Sequence, residues 1–142
     1  MEFIGAKLAL FIGNRLPLIR RDDRPDIPFP DHWDFPGGGR EGRETPWQTA
    51  ARETFEELSL DLSGVDPSWH MESEAAHLPG ARVHFFVAHL PEAARAQIRL
   101  GDEGQEWRLF SARELLELPK TVPSQIERLR LYLARGAGSA YL

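Results

Sequence analysis

Residues 35–60 constrain the fold more than any other part of the chain. The run FPGGGREGRETPWQTAARETFEELSL sets Gly37-Gly38-Gly39 shortly ahead of a helix whose start and buried face are both written into the sequence. Thr45 is a strong N-cap type, Pro46 suits the first helical position and Gln48 completes a capping box. Trp47, Ala50, Ala51, Thr54 and Leu58 then recur at helical spacing as one mostly apolar stripe. A helix with a single such stripe buries it against another layer, so this stretch predicts a glycine turn, a helix and a sheet beneath it.

The flanking segments supply the sheet. Residues 6–21, AKLALFIGNRLPLIRR, read as two apolar strands joined at Gly13-Asn14, types that tolerate the positive φ of a tight hairpin. Arg21 to His32 contains Pro25, Pro28 and Pro30 and can sustain neither a helix nor a central strand, so an exposed loop is expected there. WDFP reads as a short strand running into the glycines. Downstream, strands are predicted over 69–77, 82–90 and 105–110, with a weak helix in PEAARAQI and a turn at GDEG. Ser111 and Glu114 form a second capping box, and a last helix is expected over Ser124 to Arg135, ended by Gly136. The order predicts an α/β fold with a mixed sheet covered by helices on both faces. One domain over residues 1–136 and a loose tail over 137–142 suit a chain of 142 residues.

Composition narrows the partners. A formal charge of −5 argues against charge-driven attachment to duplex nucleic acid or anionic lipid. The chain has no Cys, which excludes disulfides, thiolate nucleophiles and Cys-ligated metals. The apolar run Phe3 to Ile12 is broken by Lys7 and is too short for a membrane span. No targeting segment is evident, and a cytoplasmic location is the expectation.

The helix also carries an electrostatic conflict. Glu53, Glu56 and Glu57 share one face, away from the apolar stripe, and the last two lie where the helix dipole disfavours carboxylates by roughly 0.3–1 kcal/mol each. A solvated surface is the plain explanation of acids on a helix. A divalent cation is the sharper one, since hard oxygen ligands suit Mg²⁺ or Mn²⁺ and the metal turns mutual repulsion into shared attraction.

At these residues the chain resembles the Nudix hydrolases of MutT type. Their signature runs from a glycine through a glutamate to Arg-Glu and Glu-Glu, and here Gly38, Glu44, Arg52, Glu53, Glu56 and Glu57 match all six of those positions. Thr54 replaces an aliphatic residue and Ser59 replaces a glycine. Ser59 would pay roughly 1 kcal/mol more than glycine for a left-handed helix stop. Thr54 could bury its methyl and bond back to a helix carbonyl.

The resemblance implies an α/β/α sandwich and Mg²⁺-dependent hydrolysis, with Mn²⁺ able to substitute. The substrate would be a nucleoside diphosphate linked to another group, attacked by water at phosphorus and most simply a nucleoside triphosphate. It implies that Gly37 (through its carbonyl), Glu53, Glu56, Glu57 and Glu103 hold metal. Arg52 would orient the glutamates, Glu44 and Gly38 would support the loop, and Glu53 would be the general base with Glu103 as its rival. Arg21 would contact phosphate, ahead of Arg20 and Arg24, with Gly38 beside the substrate. Trp33 and Phe35 could contact a base, although alternate aromatics in a short strand more often belong to the core. Glu106 is expected to be structural. The five His residues lack ligand spacing. LPKTVPSQIERL has no Asn of the sort that MutT-like members use to read an oxidised purine. Family members are often homodimers, though no feature here fixes an interface. The alternative is a non-catalytic Nudix-fold module that binds a nucleotide or a protein.

Overall fold

The computed structural model describes residues 2–135. Its frame is a hairpin that splits. Strand β1 (Phe3–Ile12) and β2 (Arg15–Arg20) pair only at Ile12 and Arg15, across a turn in which Gly13 takes φ +62°. Beyond that pair the two arms diverge and different strands complete them. On the β2 arm, β3 (Trp33–Asp34) pairs at Ile19 and Arg20. On the β1 arm, β4 (Gly37–Gly39) pairs antiparallel with Gly5 to Lys7. Phe35 and Pro36 cross the fork between them, anchored where the Leu8 amide donates to the Pro36 carbonyl at 2.9 Å.

The expected WDFP strand is therefore two residues long, and the glycines form a strand of their own. The reason is steric. Gly37 has φ +136°, and a Cβ there would collide with the Ala6 carbonyl and come within 2.7 Å of the Lys7 Cα.

The remaining strands are β5 (Trp69–Glu74), β6 (Arg82–Leu90) and β7 (Glu106–Ser111). β6 runs parallel to β1 along nearly its whole length, β5 is antiparallel to β6, and β7 is antiparallel to β2. β1 is buried on both faces, which is why its sequence reads as a continuous apolar run. Leu8, Leu10 and Ile12 enter one core with Ala50 and Leu58 of α1 (Pro46–Leu58). Ala9 and Phe11 enter the other, with Leu115 of α2 (Ala112–Glu117) and Leu129 and Tyr132 of α3 (Pro123–Leu133). Helices thus cover both faces of a mixed sheet, as expected.

Local signals hold at both capping boxes: Thr45 with Gln48, and Ser111 with Glu114. Several boundaries move. The strand expected to reach His77 stops at Glu74, PEAARAQI forms a 3-10 helix over Glu92–Gln97, the strand expected over 105–110 runs Glu106–Ser111, and the last helix runs Pro123–Leu133 in place of Ser124 to Arg135, with Pro123 taking its first turn behind Val122. Gly136 and the tail lie outside the described residues. No helix among the described residues is long and apolar enough to cross a membrane.

Candidate active site

The site grows from the last two turns of α1. Arg52 is its hub: Nε donates to Glu44 Oε2 at 2.6 Å, Nη1 to Glu53 Oε1 at 3.0 Å and Glu56 Oε1 at 3.1 Å, and Nη2 to the Gly39 carbonyl at 2.8 Å. One guanidinium therefore joins the loop, the glycine strand and two of the three helix acids. Glu44 also accepts from the Thr49 hydroxyl at 3.0 Å and from the Glu41 amide at 2.9 Å. Arg52 above all holds the Glu44 pKa down, to about 2.

Glu57 lies in a different setting. Its Oε1 accepts from the Gly37 amide at 2.8 Å. Burial pushes its pKa up to about 7, against the opposing pull of Lys7 and of that amide. Burial also raises Glu53, with Arg52 opposing. Gly38 explains the close approach of backbone and acid, because a Cβ there would sit 2.6 Å from the Glu53 carboxyl carbon.

The C-terminus of α1 is closed by the segment before β7. The Ser59 amide donates to the Phe55 carbonyl at 2.8 Å, Arg99 to Leu58 at 3.0 Å and Gly101 to Glu57 at 2.9 Å. Gly101 allows this contact, since a Cβ there would collide with the Glu56 carbonyl. Those bonds bring the following acids, Asp102 and Glu103, to the site. Glu53, Glu56, Glu57, Asp102 and Glu103 all line one cavity of about 580 Å³, with Gly37, Gly38, Lys7 and Arg21.

The structure thus brings together Arg21, Gly37, Gly38, Glu53, Glu56, Glu57 and Glu103, with Arg52 and Glu44 behind them. Arg21 donates from Nε to the Pro28 carbonyl at 2.9 Å and lies 3.5 Å from Asp34 Oδ2. Arg20 is engaged with Asp31 and Glu106, and Arg24 with Asp26. Glu106 sits between Arg20 and Arg108, a structural position. Trp33 and Phe35 are core residues, 9% and 1% exposed, packed edge-on against Phe110 and Phe85; neither offers a free ring face to a base. His70 and His84, fourteen residues apart, meet across β5 and β6 at 2.6 Å.

Sequence reasoning missed Lys7 and Asp34. Lys7 Nζ lies 3.0 Å from Asp34 Oδ2 and donates to the carbonyls of Phe35 and Gly37, both at 3.2 Å. A lone lysine breaking an apolar strand was the available signal. Asp34 is 6% exposed, and its Oδ1 has no hydrogen-bond partner among the described residues.

A divalent metal fits the donor chemistry, which is all oxygen. The acids already approach the glycine backbone as closely as a missing Cβ permits, and half-buried Glu57 has the charge of Lys7 nearby. Among the described residues, however, no three such side chains stand together as a formed metal cage. Arg52 draws Glu53 and Glu56 one way, and the Gly37 amide holds Glu57 the other.

A model of the NUDIX domain matches residues 5–132. No curated protein matches the chain. Among solved structures, the C. elegans Ap4A hydrolase is similar at 22% identity and TM-score 0.68, covering 92% of this chain and 98% of that one. The MutT protein of Methanosarcina mazei Go1 is similar at 19% identity and TM-score 0.69, covering 94% and 96%. The E. coli dihydroneopterin triphosphate pyrophosphohydrolase is similar at 22% identity and TM-score 0.64, covering 89% and 94%. At these identities the likeness is one of fold.

Proposed function

The chain belongs to the NUDIX family of hydrolases, and from that premise we propose that it cleaves a phosphoanhydride bond of a nucleoside diphosphate derivative with Mg²⁺, or Mn²⁺ in its place. The observation that carries this reading is the acid-lined cavity beside the glycine strand. Glu53, Glu56, Glu57 and Glu103 would repel a diphosphate unless a cation stood between them. Two of the similar structures are named for Ap4A and for dihydroneopterin triphosphate, which supports a polyphosphate substrate.

Glu53, Glu56, Glu57, Glu103 and the Gly37 carbonyl would hold the metal. Bound there, it would neutralise the diphosphate and make a water easier to deprotonate. The chain's own groups do the rest. Arg52 fixes Glu53 through Oε1 and leaves Oε2 without a donor among the described residues, free to accept a proton from the attacking water. Burial makes that carboxylate more basic than an exposed one, which suits the role. Arg21, which lines the same cavity, supplies a positive charge for phosphate oxygens.

The test is phosphate and pyrophosphate release over a panel of nucleoside diphosphate derivatives, with and without Mg²⁺. Metal-dependent turnover of at least one compound is expected. Thermal stabilisation by nucleotides with no product from any of them would instead identify a binding module.

A further inference from the structure

Gly37 is held from both ends. Its amide donates to Glu57 Oε1 at 2.8 Å, and its carbonyl accepts from Lys7 Nζ at 3.2 Å. The Lys7 stem runs against the same residue, where a Cβ would come within 2.9 Å of Lys7 Cδ, so the glycine makes room for the lysine as well as for the backbone. We propose that Lys7 competes with the divalent metal for the Gly37 carbonyl, gives up that bond and turns fully onto Asp34 when metal binds, and so sets how tightly the site holds metal. The inference rests on the hydrolase reading above and names a positioning residue for that same site.

Two observations carry it. The first is how fully the ammonium group is engaged. A lysine has three donors, and Lys7 directs them to Asp34 Oδ2 at 3.0 Å and to the carbonyls of Phe35 and Gly37, both at 3.2 Å. The one carbonyl that the hydrolase reading assigns to metal is thus already bonded to a cation. Mg²⁺ takes its oxygen ligands at about 2.1 Å, so a metal on that oxygen would stand no farther than about 5.3 Å from Nζ where it now lies. The Lys7 side chain is only 19% exposed, and two cations so close, with little water between them, disfavour one another strongly. One of them has to yield.

The second observation is that Asp34 has an acceptor to spare. It is 6% exposed, and its Oδ1 has no hydrogen-bond partner among the described residues. Arg21 does not meet that need, since its Nη1 lies 3.5 Å from the other oxygen, Oδ2. Oδ1 belongs to the carboxylate that Lys7 already touches, and an ammonium group on a flexible four-carbon stem reaches it by a small turn. A lysine that only fastened β1 to the glycine strand would explain the bonds to Phe35 and Gly37. It would leave the buried Oδ1 unsatisfied, which is unfavourable. With the exchange, the lysine donor released from Gly37 and the unpaired oxygen of Asp34 answer one another.

The experiment titrates Mn²⁺ into the full chain without nucleotide and follows free Mn²⁺ by electron paramagnetic resonance. Lys7→Met removes the competing charge and should tighten Mn²⁺ roughly tenfold or more. Lys7→Gln removes the charge but keeps donors for Asp34 and a carbonyl, so it should tighten Mn²⁺ similarly; it keeps the test alive if Lys7→Met fails to fold. Arg21→Met takes a positive charge from the same cavity without touching the Gly37 carbonyl, and should tighten Mn²⁺ by less than about threefold. Unchanged or weaker Mn²⁺ binding in the folded Lys7 variants would overturn the proposal, because a lysine that merely braces the strands can only help the site. An equal gain from Arg21→Met would overturn it too, since long-range charge would then account for the effect. Mn²⁺ binding by the wild type with no gain in the Lys7 variants leaves the hydrolase reading standing. Absence of Mn²⁺ binding in wild type and variants alike removes the metal reading, and this proposal with it.

Discussion

Glu44 and Glu57 stand at opposite ends of one motif, and the fold treats them in opposite ways. Glu44 is surrounded by donors: two nitrogens of Arg52, the Thr49 hydroxyl and the Glu41 amide. Its charge is more stable in the folded chain than in water. Glu57 has one amide donor and is half-buried, so its charge costs the fold something. The difference separates support from function: the loop end of the motif is electrostatically complete, and the cavity end is left wanting a cation.

The hardest way to break that comparison is to remove the charge at the incomplete end. Glu57→Gln should lower kcat on the order of 10³-fold, because it deletes an anionic oxygen aimed at the reacting centre. The fold should tolerate the change, and the metal-free variant should melt no lower than the wild type at pH 8. Steady-state rates and calorimetric melting check both halves. Near-normal turnover would show that the cavity end is not where the chemistry happens.

The same exchange at the complete end should invert the pattern. Glu44→Gln strips Arg52 of its strongest partner and should cost about 1–3 kcal/mol of stability. Its effect on kcat should be smaller, about 10–100-fold, acting through the positions of Glu53 and Glu56. A variant that kept its Tm would show that the Arg52 hub is not structural.

The two acids also predict opposite pH dependences for the metal-free protein. Glu57 has a folded pKa near 7, above its usual 4.5, so its ionisation opposes folding. The penalty is absent below about pH 4.5, grows as pH rises through 7, and reaches about 3 kcal/mol above that. Glu44 has a folded pKa near 2, below its usual 4.5. Its contribution is complete above about pH 4.5 and is lost as pH falls toward 2. Urea melts from pH 3 to 8 should show Glu57→Gln gaining on the wild type only in the upper range. Glu44→Gln should fall behind the wild type most where Glu44 is fully ionised, and converge with it toward pH 2. Parallel curves for wild type and Glu57→Gln would remove the contrast between the two ends.

The parts of this arrangement legible in the sequence are those with local causes. The start of α1 follows from Thr45, Pro46 and Gln48, and the shared face of Glu53, Glu56 and Glu57 from helical periodicity alone. Strand β4 was not legible, because three glycines carry no side-chain pattern. Their strand exists only through pairing with Gly5 to Lys7, about thirty residues upstream. Lys7 and Asp34 escaped for the same reason: what joins them is the split hairpin. Nothing in the sequence marks Arg128, and the packing of α3 leaves it 8% exposed. Trp33 and Phe35 show the converse: two aromatics beside a functional loop could have contacted a base or belonged to the core, and their burial fits the core reading.

Ser59 supplies the finest test, because it lies just past Glu57 and departs from the family's glycine. It adopts the left-handed stop, at φ +63° and ψ +21°, which any residue but glycine enters at a cost. Its hydroxyl donates to the Arg99 carbonyl at 3.2 Å, on the segment that carries Asp102 and Glu103 to the cavity. Ser59→Gly relieves the backbone and removes that bond, two effects of about 0.5–1 kcal/mol each with opposite sign. Net stability should therefore change by only a few tenths of a kcal/mol. If the hydroxyl helps to hold the loop acids, KM or metal affinity should rise or fall by about twofold with Tm unmoved. The double variant Ser59→Gly with Glu103→Gln then decides the matter. Should Ser59→Gly act only through Glu103, its effect vanishes in the Glu103→Gln background; an undiminished effect would place Ser59 on the helix side of the comparison, with Glu57.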